Sequence, residues 1–438
     1  MMFRTRFKPL LLACLPIIAM AARVGVAEDW PHWRGPERND HARIHSGWQG
    51  NSWGLGEETW RGEFGLGSAS PIVVADKVYV LGWQNEFDTL HCVDASSGKE
   101  LWTVSYPAPK YGRKATGDQG LYAGPCSTPE YDRETDYLYT LGIDGELRCW
   151  DTRQQGALIW SKNLYDEYDV PQRPRVNRSG LRDYGFTSSP LIQGDRLIVE
   201  VGATTGTLIG FDKKTGQELW QSEATSPAGH TGGPVPMLIE ETPCVAVHNF
   251  DGLLITRIDG KQAGKTVAEV PWKTDFANNV ATPAVLENSV VLTSSYNQHR
   301  ISRLQIDLKG NVTTVWQLDE ASKVCSPVIH KGYVYWAWRE MHCVDFETGQ
   351  QMWKGGHCGD AGSLIVTSDD RLIGWVNRGN LQLIDTATRS PRDFQQLAER
   401  TVLNRSDAWP HVAIAKHRLF CRDSAGSLVC LPLNSGPE

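Results

Sequence analysis

The side chains of this chain best suited to ligand binding or proton transfer are Tyr184, His230, Asn278, Asn279, Asp360, Trp409 and His411, with Arg175 and Arg182 beside them. They offer imidazoles that titrate near neutrality, a carboxylate, amides, aromatic faces, and guanidinium groups that fork onto anions. Such a set could hold a polar or anionic ligand. Each residue also has a plainer use. His230 can cap a neighbouring loop, Asn278 and Asn279 are turn formers, Trp409 can fill a core, and Arg175 and Arg182 can be solvated. No nucleophile elbow or paired carboxylates can be assigned from spacing, and no glycine-rich phosphate loop stands out. His91-Cys92, His342-Cys343 and His357-Cys358 adjoin in sequence, but neighbouring strand residues face opposite ways. A shared metal is therefore not expected at these pairs, and neither a metal ligand nor a catalytic residue is assigned.

What unites the candidates is their place in a repeat. They precede, or sit in, a small residue followed by Pro that opens an apolar strand: Ser70-Pro71, Thr128-Pro129, Ser189-Pro190, Gly233-Pro234, Thr282-Pro283 and Ser326-Pro327. Gly362-Ser363 and Trp409-Pro410 hold the corresponding places in the last two units. Pro is tolerated at the first residue of a strand, where its missing N–H breaks no ladder. Residues just ahead of such openings should converge around one axis, at the mouth of a funnel.

A ten-residue motif, starting one residue before an Asp, recurs downstream of several of these openings. It runs from Asp94 through Gly98 to Trp102, from Asp212 through Gly216 to Trp220, and from Asp345 through Gly349 to Trp353. A looser copy spans Asp151, Gly156 and Trp160, and a degraded one spans Asp307, Gly310 and Trp316. The Asp carboxylate can accept backbone N–H groups of the turn, and Gly supplies the positive φ that closes it. The Leu-Trp that follows suits packing between sheets. Repeats of a few tens of residues mean arrays or propellers. Eight openings give eight units of four antiparallel strands. The eighth ends after its third strand, Leu428-Val429-Cys430-Leu431, and Glu58-Thr59-Trp60-Arg61 has the character of the missing fourth. The expected fold is all-β, an eight-bladed β-propeller whose last blade is closed by an N-terminal strand around Trp60. Seven blades is the rival, because unit seven is degraded.

The rest of the chain sets bounds. Residues 1–27 read as a signal peptide: Arg4, Arg6 and Lys8, an apolar stretch from Pro9 to Ala22, and small residues up to Ala27. Leu11-Leu12-Ala13-Cys14 resembles a lipoprotein cleavage box, but the apolar run continues past Cys14, which argues against an anchor there. Residues 28–56 read as an arm packed across the ring, and 57–438 as the propeller. No later segment could span a bilayer. A net charge of −7 gives no basic footprint for nucleic acid. Ten cysteines suggest disulfides, but Cys92, Cys149, Cys343 and Cys430 hold equivalent positions in different units and read as core residues. The link from Leu164 to Thr187 carries Arg173, Arg175, Arg178, Arg182 and Asp183, and long loops on a rigid scaffold are a natural place for function.

With its Asp-x-x-Thr/Ser-Gly-x-x-Leu-Trp turns at 94–102, 212–220 and 345–353, the chain resembles the PQQ-like β-propeller repeat family. The lead-in from Asp29 to Pro36 is similar to the start of its exported bacterial members. The resemblance covers nearly all of residues 57–434 and implies a propeller. It implies two kinds of function, because the family mixes quinoprotein dehydrogenases with non-catalytic propellers such as the lipoprotein of the outer-membrane β-barrel assembly machinery. The dehydrogenases call for an adjacent Cys pair over the quinone, calcium ligands, an Asp base and a longer chain. This sequence has no adjacent Cys pair and no Cys-x-x-Cys-His haem attachment. The expectation is an exported, periplasmic or extracytoplasmic, non-catalytic platform for protein partners, with no cofactor. The alternative is a PQQ- and calcium-dependent oxidoreductase acting on an alcohol or sugar. A hydrolase or lyase with its site in the funnel is a third reading.

Overall fold

The structure is a computed structural model, and it describes residues 29–117, 124–176, 180–275, 278–296, 298–404 and 406–434. Residues 1–27, read from the sequence as a signal peptide and including Cys14, and Arg178 lie outside the described residues. Eight antiparallel sheets form a closed ring, an eight-bladed β-propeller. Seven sheets have four strands each. In the sixth, the second and third strands run together as Tyr333–Asp345. That element folds back at Arg339, which has φ 65, and Phe346 N donates to Gly332 O at 2.8 Å. The degraded seventh unit is a full blade of Ser363–Val366, Arg371–Val376, Asn380–Asp385 and Gln396–Thr401.

The innermost strand of each blade is short and faces protein on both sides, so it reads as an apolar run rather than an alternation. Ile72–Val74 and Ala413–Ala415 are buried at every position. Outer strands alternate instead; Glu100–Pro107 leaves Glu100, Leu101, Thr103 and Ser105 exposed. The eighth blade takes its outer strand from the N-terminal side. Trp60–Glu63 pairs with the last strand in the register Trp60 to Cys430, Arg61 to Val429, Gly62 to Leu428 and Glu63 to Ser427. Ring closure by this pairing removes two open sheet edges. Arg422 reinforces it from within the last blade. Its fully buried guanidinium donates to Ala69 O, Leu81 O and Gly65 O at 2.6, 2.8 and 3.0 Å, all belonging to the first blade or its entry.

The repeat turn links neighbouring blades. Asp94 Oδ1 accepts from the backbone N of Ser96 and Ser97, and Asp212 Oδ1 does the same for Lys214 and Thr215. Gly98 adopts φ 69, and a Cβ there would lie 2.6 Å from the Trp60 ring. Trp60 therefore lies flush on the turn of the next blade, and its Nε1 donates to Ala95 O at 3.0 Å. Trp160 and Trp316 repeat this contact on Gly216 and Gly349. Cys92 and Cys149 sit opposite Tyr79 and Tyr139 in the cores between blades. All nine described cysteines are free, and burial pushes the Cys92 thiol up to about 12. These thiols are packing groups rather than nucleophiles.

Around the axis the small residue of each opening pair has a use beyond making room for Pro. Ser70 N donates to Thr128 Oγ1 at 3.0 Å, Thr128 N to Ser189 Oγ at 2.9 Å, and Thr282 N to Ser326 Oγ at 3.1 Å. On the closing side His411 N donates to Ser70 Oγ at 2.8 Å and Val412 N to Ser363 Oγ at 3.2 Å. Where Gly233 offers no hydroxyl, Ser189 N turns to Gly232 O at 2.8 Å. Hydroxyls thus satisfy backbone N–H groups that the short inner strands leave open.

Candidate functional site

The axis of the ring is filled by residues 29–46 of the N-terminal arm. The arm can enter because its local sequence folds into a tight reversal. Gly35 N donates to His32 O, Arg38 N to Gly35 O and Asp40 N to Arg34 O. Gly35 has φ 81, and a Cβ on it would fall 2.7 Å from the Trp30 ring. Arg34, Arg38 and Asp40 also hold positive φ, a conformation that costs non-glycine residues about 1 kcal/mol or more each. Their side chains supply the offsetting contacts.

Arg34 is 1% exposed. Its Nε donates to Asp40 Oδ2 at 2.5 Å, and Nη1 and Nη2 donate to Pro283 O and Pro327 O at 3.1 and 2.7 Å. These carbonyls belong to the openings of the fifth and sixth inner strands. Burial would raise the Asp40 carboxyl, but the Arg34 guanidinium and His411 hold it below its ordinary range. Arg38 Nη2 donates to Glu130 Oε1 in the second blade and to Ile192 O in the third. His32 Nδ1 lies 3.1 Å from Glu130 Oε2. Burial would raise Glu130 as well, and Arg38 and His32 bring it down. His32 is pushed down by burial and by Arg38.

The remaining blades are touched in turn. Trp30 exchanges backbone bonds of 2.8 Å with Val73 in the first blade, and Ala42 N donates to Val366 O in the seventh. Trp33 abuts Gly232 at the entry to the fourth and meets His411 of the eighth at a tilt of 38°, with ring centres 4.0 Å apart. A void of about 10 Å³ beside Trp33, Arg34 and Glu130 has room for about one water. A larger groove of about 330 Å³ lies on the flank of the fourth blade, along Asn249, Asp251, Leu253, Val270 and Lys273.

The funnel-mouth candidates do not form one constellation. Tyr184 and His230 meet: Tyr184 N donates to His230 Nε2 at 3.1 Å, with the rings edge-on at 4.8 Å. His411 joins the plug, 3.5 Å from Asp40 Oδ1. Asp360 is half-buried on a separate rim, with Lys323 at 2.5 Å and Trp338 Nε1 at 3.1 Å. Asn279 ties its link to the fourth blade, accepting from Thr274 Oγ1 within the link and donating to Asn249 O in a turn of that blade. Asn278 Oδ1 and Trp409 Nε1 are buried without a hydrogen bond among the described residues. Arg175 is exposed and Arg182 half-buried.

In the long link the buried pair is Arg173 and Asp183, at 2.7 Å, not the two arginines singled out from the sequence. Asp183 also caps Gly185 N and lies 3.9 Å from His230 Nε2. Glu200 next to this cluster is 1% exposed; burial lifts its carboxyl to about 7, although Gly229 N donates to it at 2.9 Å. Asp88 in the first blade is likewise lifted to about 7 by burial.

Sequence reasoning missed Arg34, Arg38, Asp40, Glu130, Arg173, Asp183 and Glu200 as candidates. Two of them left a signal. After the Pro of the six small-Pro pairs stand Ile72, Glu130, Leu191, Val235, Ala284 and Val328, so Glu130 interrupts an aliphatic series. Glu200 occupies the second-strand place held by Leu81 and Leu141 in the first two blades.

The groups that an orthoquinone would need on the axis are already engaged. The flat face of Trp33 is taken by His411, and Arg34 is spent on Asp40 and two carbonyls. Among the described residues no three His, Cys, Asp or Glu side chains are grouped to hold a metal ion. The axial residues do not fit PQQ with calcium.

Ring, repeat turns and docked tryptophans together define a PQQ-like β-propeller. The family model described as outer membrane protein assembly factor BamB matches residues 53–116 and 119–355, and the chain belongs to that family. Its curated relatives point elsewhere in function. The dehydrogenase subunits of quinone alcohol dehydrogenases from Komagataeibacter europaeus and Gluconacetobacter polyoxogenes are each 28% identical over 178 residues. That is 39% of this chain, and it spans only 21% of each relative. Among solved structures, BamB from Moraxella catarrhalis has TM-score 0.57 at 14% identity, covering 86% of this chain and 100% of that one. A europium-containing methanol dehydrogenase gives 0.64 at 10% identity, covering 93% and 98%. Quinohemoprotein alcohol dehydrogenase from Comamonas testosteroni gives 0.63 at 12%, covering 95% and 82%. These are likenesses of fold. Among the described residues no helix is long and apolar enough to cross a membrane.

Proposed function

We propose that the protein is an exported, non-catalytic propeller that serves as a binding platform or assembly scaffold for other proteins. The observation that carries this reading is the filled axis. A propeller enzyme needs reactive groups around an open funnel, and here the axial side chains are consumed by the chain's own arm. What stays open is the rim and the outer strands. Leu101, Leu158 and Leu219 are 45, 46 and 48% exposed just ahead of the tryptophan on the outer strands of the first three blades, where a partner could reach them. Membership of the family described by an outer-membrane assembly factor supports the same reading.

The test is site-specific photo-crosslinking from Leu101 and Leu158 in envelope preparations. A discrete crosslinked protein, lost on Leu219→Asp, is the expected outcome. Absence of any adduct from either position would count against the platform.

The quinoprotein reading is favoured by one observation, the 28% identity to quinone alcohol dehydrogenase subunits. Incubation of the purified protein with PQQ and Ca²⁺, followed by gel filtration and dye reduction with an alcohol, separates the two. Retained quinone absorption with turnover would replace the platform reading.

A further inference from the structure

We propose that the axial channel is a peptide-binding site, and that the chemical class of its ligand is a turn-forming segment carrying tryptophan and arginine. The chain's own residues 29–46 are that ligand, bound in cis. The inference does not depend on the scaffold reading, because rim partners can bind whether or not the arm exchanges.

Three observations carry it. First, the arm belongs to no blade. Within residues 29–46 it adds no strand to a sheet: its backbone meets the blades at separate points, Trp30 to Val73, Pro31 O to Tyr131 N, His41 to Val366 and Ile44 O to Ser368 N, and its other contacts are made through side chains. Second, the channel side is built for a cation. Glu130 stands where other inner strands carry aliphatic residues, and a buried carboxylate is costly unless a partner meets it. Its Oε1 accepts from Ile192 N at 2.9 Å, which fixes it in place, and Arg38 supplies the charge. Across the channel, Pro283 O and Pro327 O face the axis as acceptors, and the Arg34 guanidinium reaches both at once. Planar forked donors suit such paired acceptors better than a lysine would. Third, the connection is disposable. Residues 49–52 form an exposed turn, closed by Gln49 N to Ser52 O at 2.9 Å, between the plug and the strand Trp60–Glu63 that closes the ring. A break there would leave ring closure untouched and turn the arm into a separate peptide.

The experiment uses the full chain with a protease site placed over residues 49–52, folded first and cut afterwards. A fluorescent synthetic peptide of residues 29–49 is then added, and its incorporation followed by anisotropy and gel filtration. The expected result is that labelled peptide replaces the excised arm, is displaced by unlabelled peptide, and binds at least about 100-fold more weakly as its Arg34→Ala version, since that change strands buried acceptors and Asp40. Equal binding of the Arg34→Ala peptide would overturn recognition through arginine. Unfolding of the ring on cutting, or failure of any peptide to enter after prolonged incubation, would overturn the proposal by making the arm an integral part of the core.

Discussion

The repeat turn and the axial plug solve the same problem, a polar group that needs a partner, in opposite ways. In the turn, Asp94 reaches backbone N–H groups two and three residues away, at an exposed site. In the plug, Arg34 reaches carbonyls 249 and 293 residues away, at 1% exposure. The first arrangement is local, cheap and repeated. The second is made once, and each partner is stranded if the other is removed. Sensitivity to mutation should therefore rest with the element that recurs least.

That contrast can be broken most directly at Arg34. Arg34→Ala leaves Asp40 without its cation in a buried site, and the expected loss is about 3–5 kcal/mol in chemical denaturation. A loss below that of a turn mutation would reverse the comparison. Trp60→Ala comes next. It removes a large buried ring from the turn of the first blade and weakens ring closure, for about 3–4 kcal/mol. Its m-value should fall as well if the ring opens before it unfolds.

Acid should act on the plug first. His32 has a pKa below its ordinary value because of burial and Arg38, and burial and His330 bring His41 down to about 4. The unfolded chain therefore binds protons more readily than the folded one. The arm's hold is complete above about pH 7 and weakens as pH falls from 6.5 towards 4, by on the order of 2 kcal/mol. Tryptophan fluorescence should report loosening of Trp30 and Trp33 across that window before global unfolding. Glu200 has the opposite sign. With its carboxyl lifted to about 7, the folded chain holds this proton more tightly than the unfolded chain, so stability falls as pH rises from about 4.5 to 7. Glu200→Gln should raise stability at pH 8 by about 1–2 kcal/mol, with the gain shrinking as pH falls from 7 towards about 4. The smallest effect belongs to the turn: Asp94→Ala should cost about 1 kcal/mol, the worth of its exposed hydrogen bonds.

The same contrast explains what could be read from sequence. The blades were legible because their determinants lie within ten residues of one another: Asp, Gly and Trp at fixed spacing, and a small residue before Pro. Ring closure by Trp60 was legible too, since the eighth unit visibly lacked a strand. The axial chemistry was not. Arg34 and Pro327 have no sequence relation, and nothing local distinguishes Arg173, which is buried, from Arg175, which is solvated. Glu130 could have been found, because aligning the units against one another exposes a carboxylate where the other small-Pro units carry aliphatic residues, and Glu200 stands where the first two blades carry Leu81 and Leu141. Such breaks in an internal repeat register the contacts that the repeat itself cannot encode.

The account rests on the arm occupying the axis, and hydrogen exchange read by mass spectrometry addresses that in the intact protein. Trp30 N and Ala42 N donate to Val73 O and Val366 O inside the ring. The account predicts that peptides covering residues 30–46 exchange as slowly as those covering Ile72–Val74 and Ser363–Val366. Exchange of residues 30–46 as fast as the exposed turn at 49–52 would contradict it.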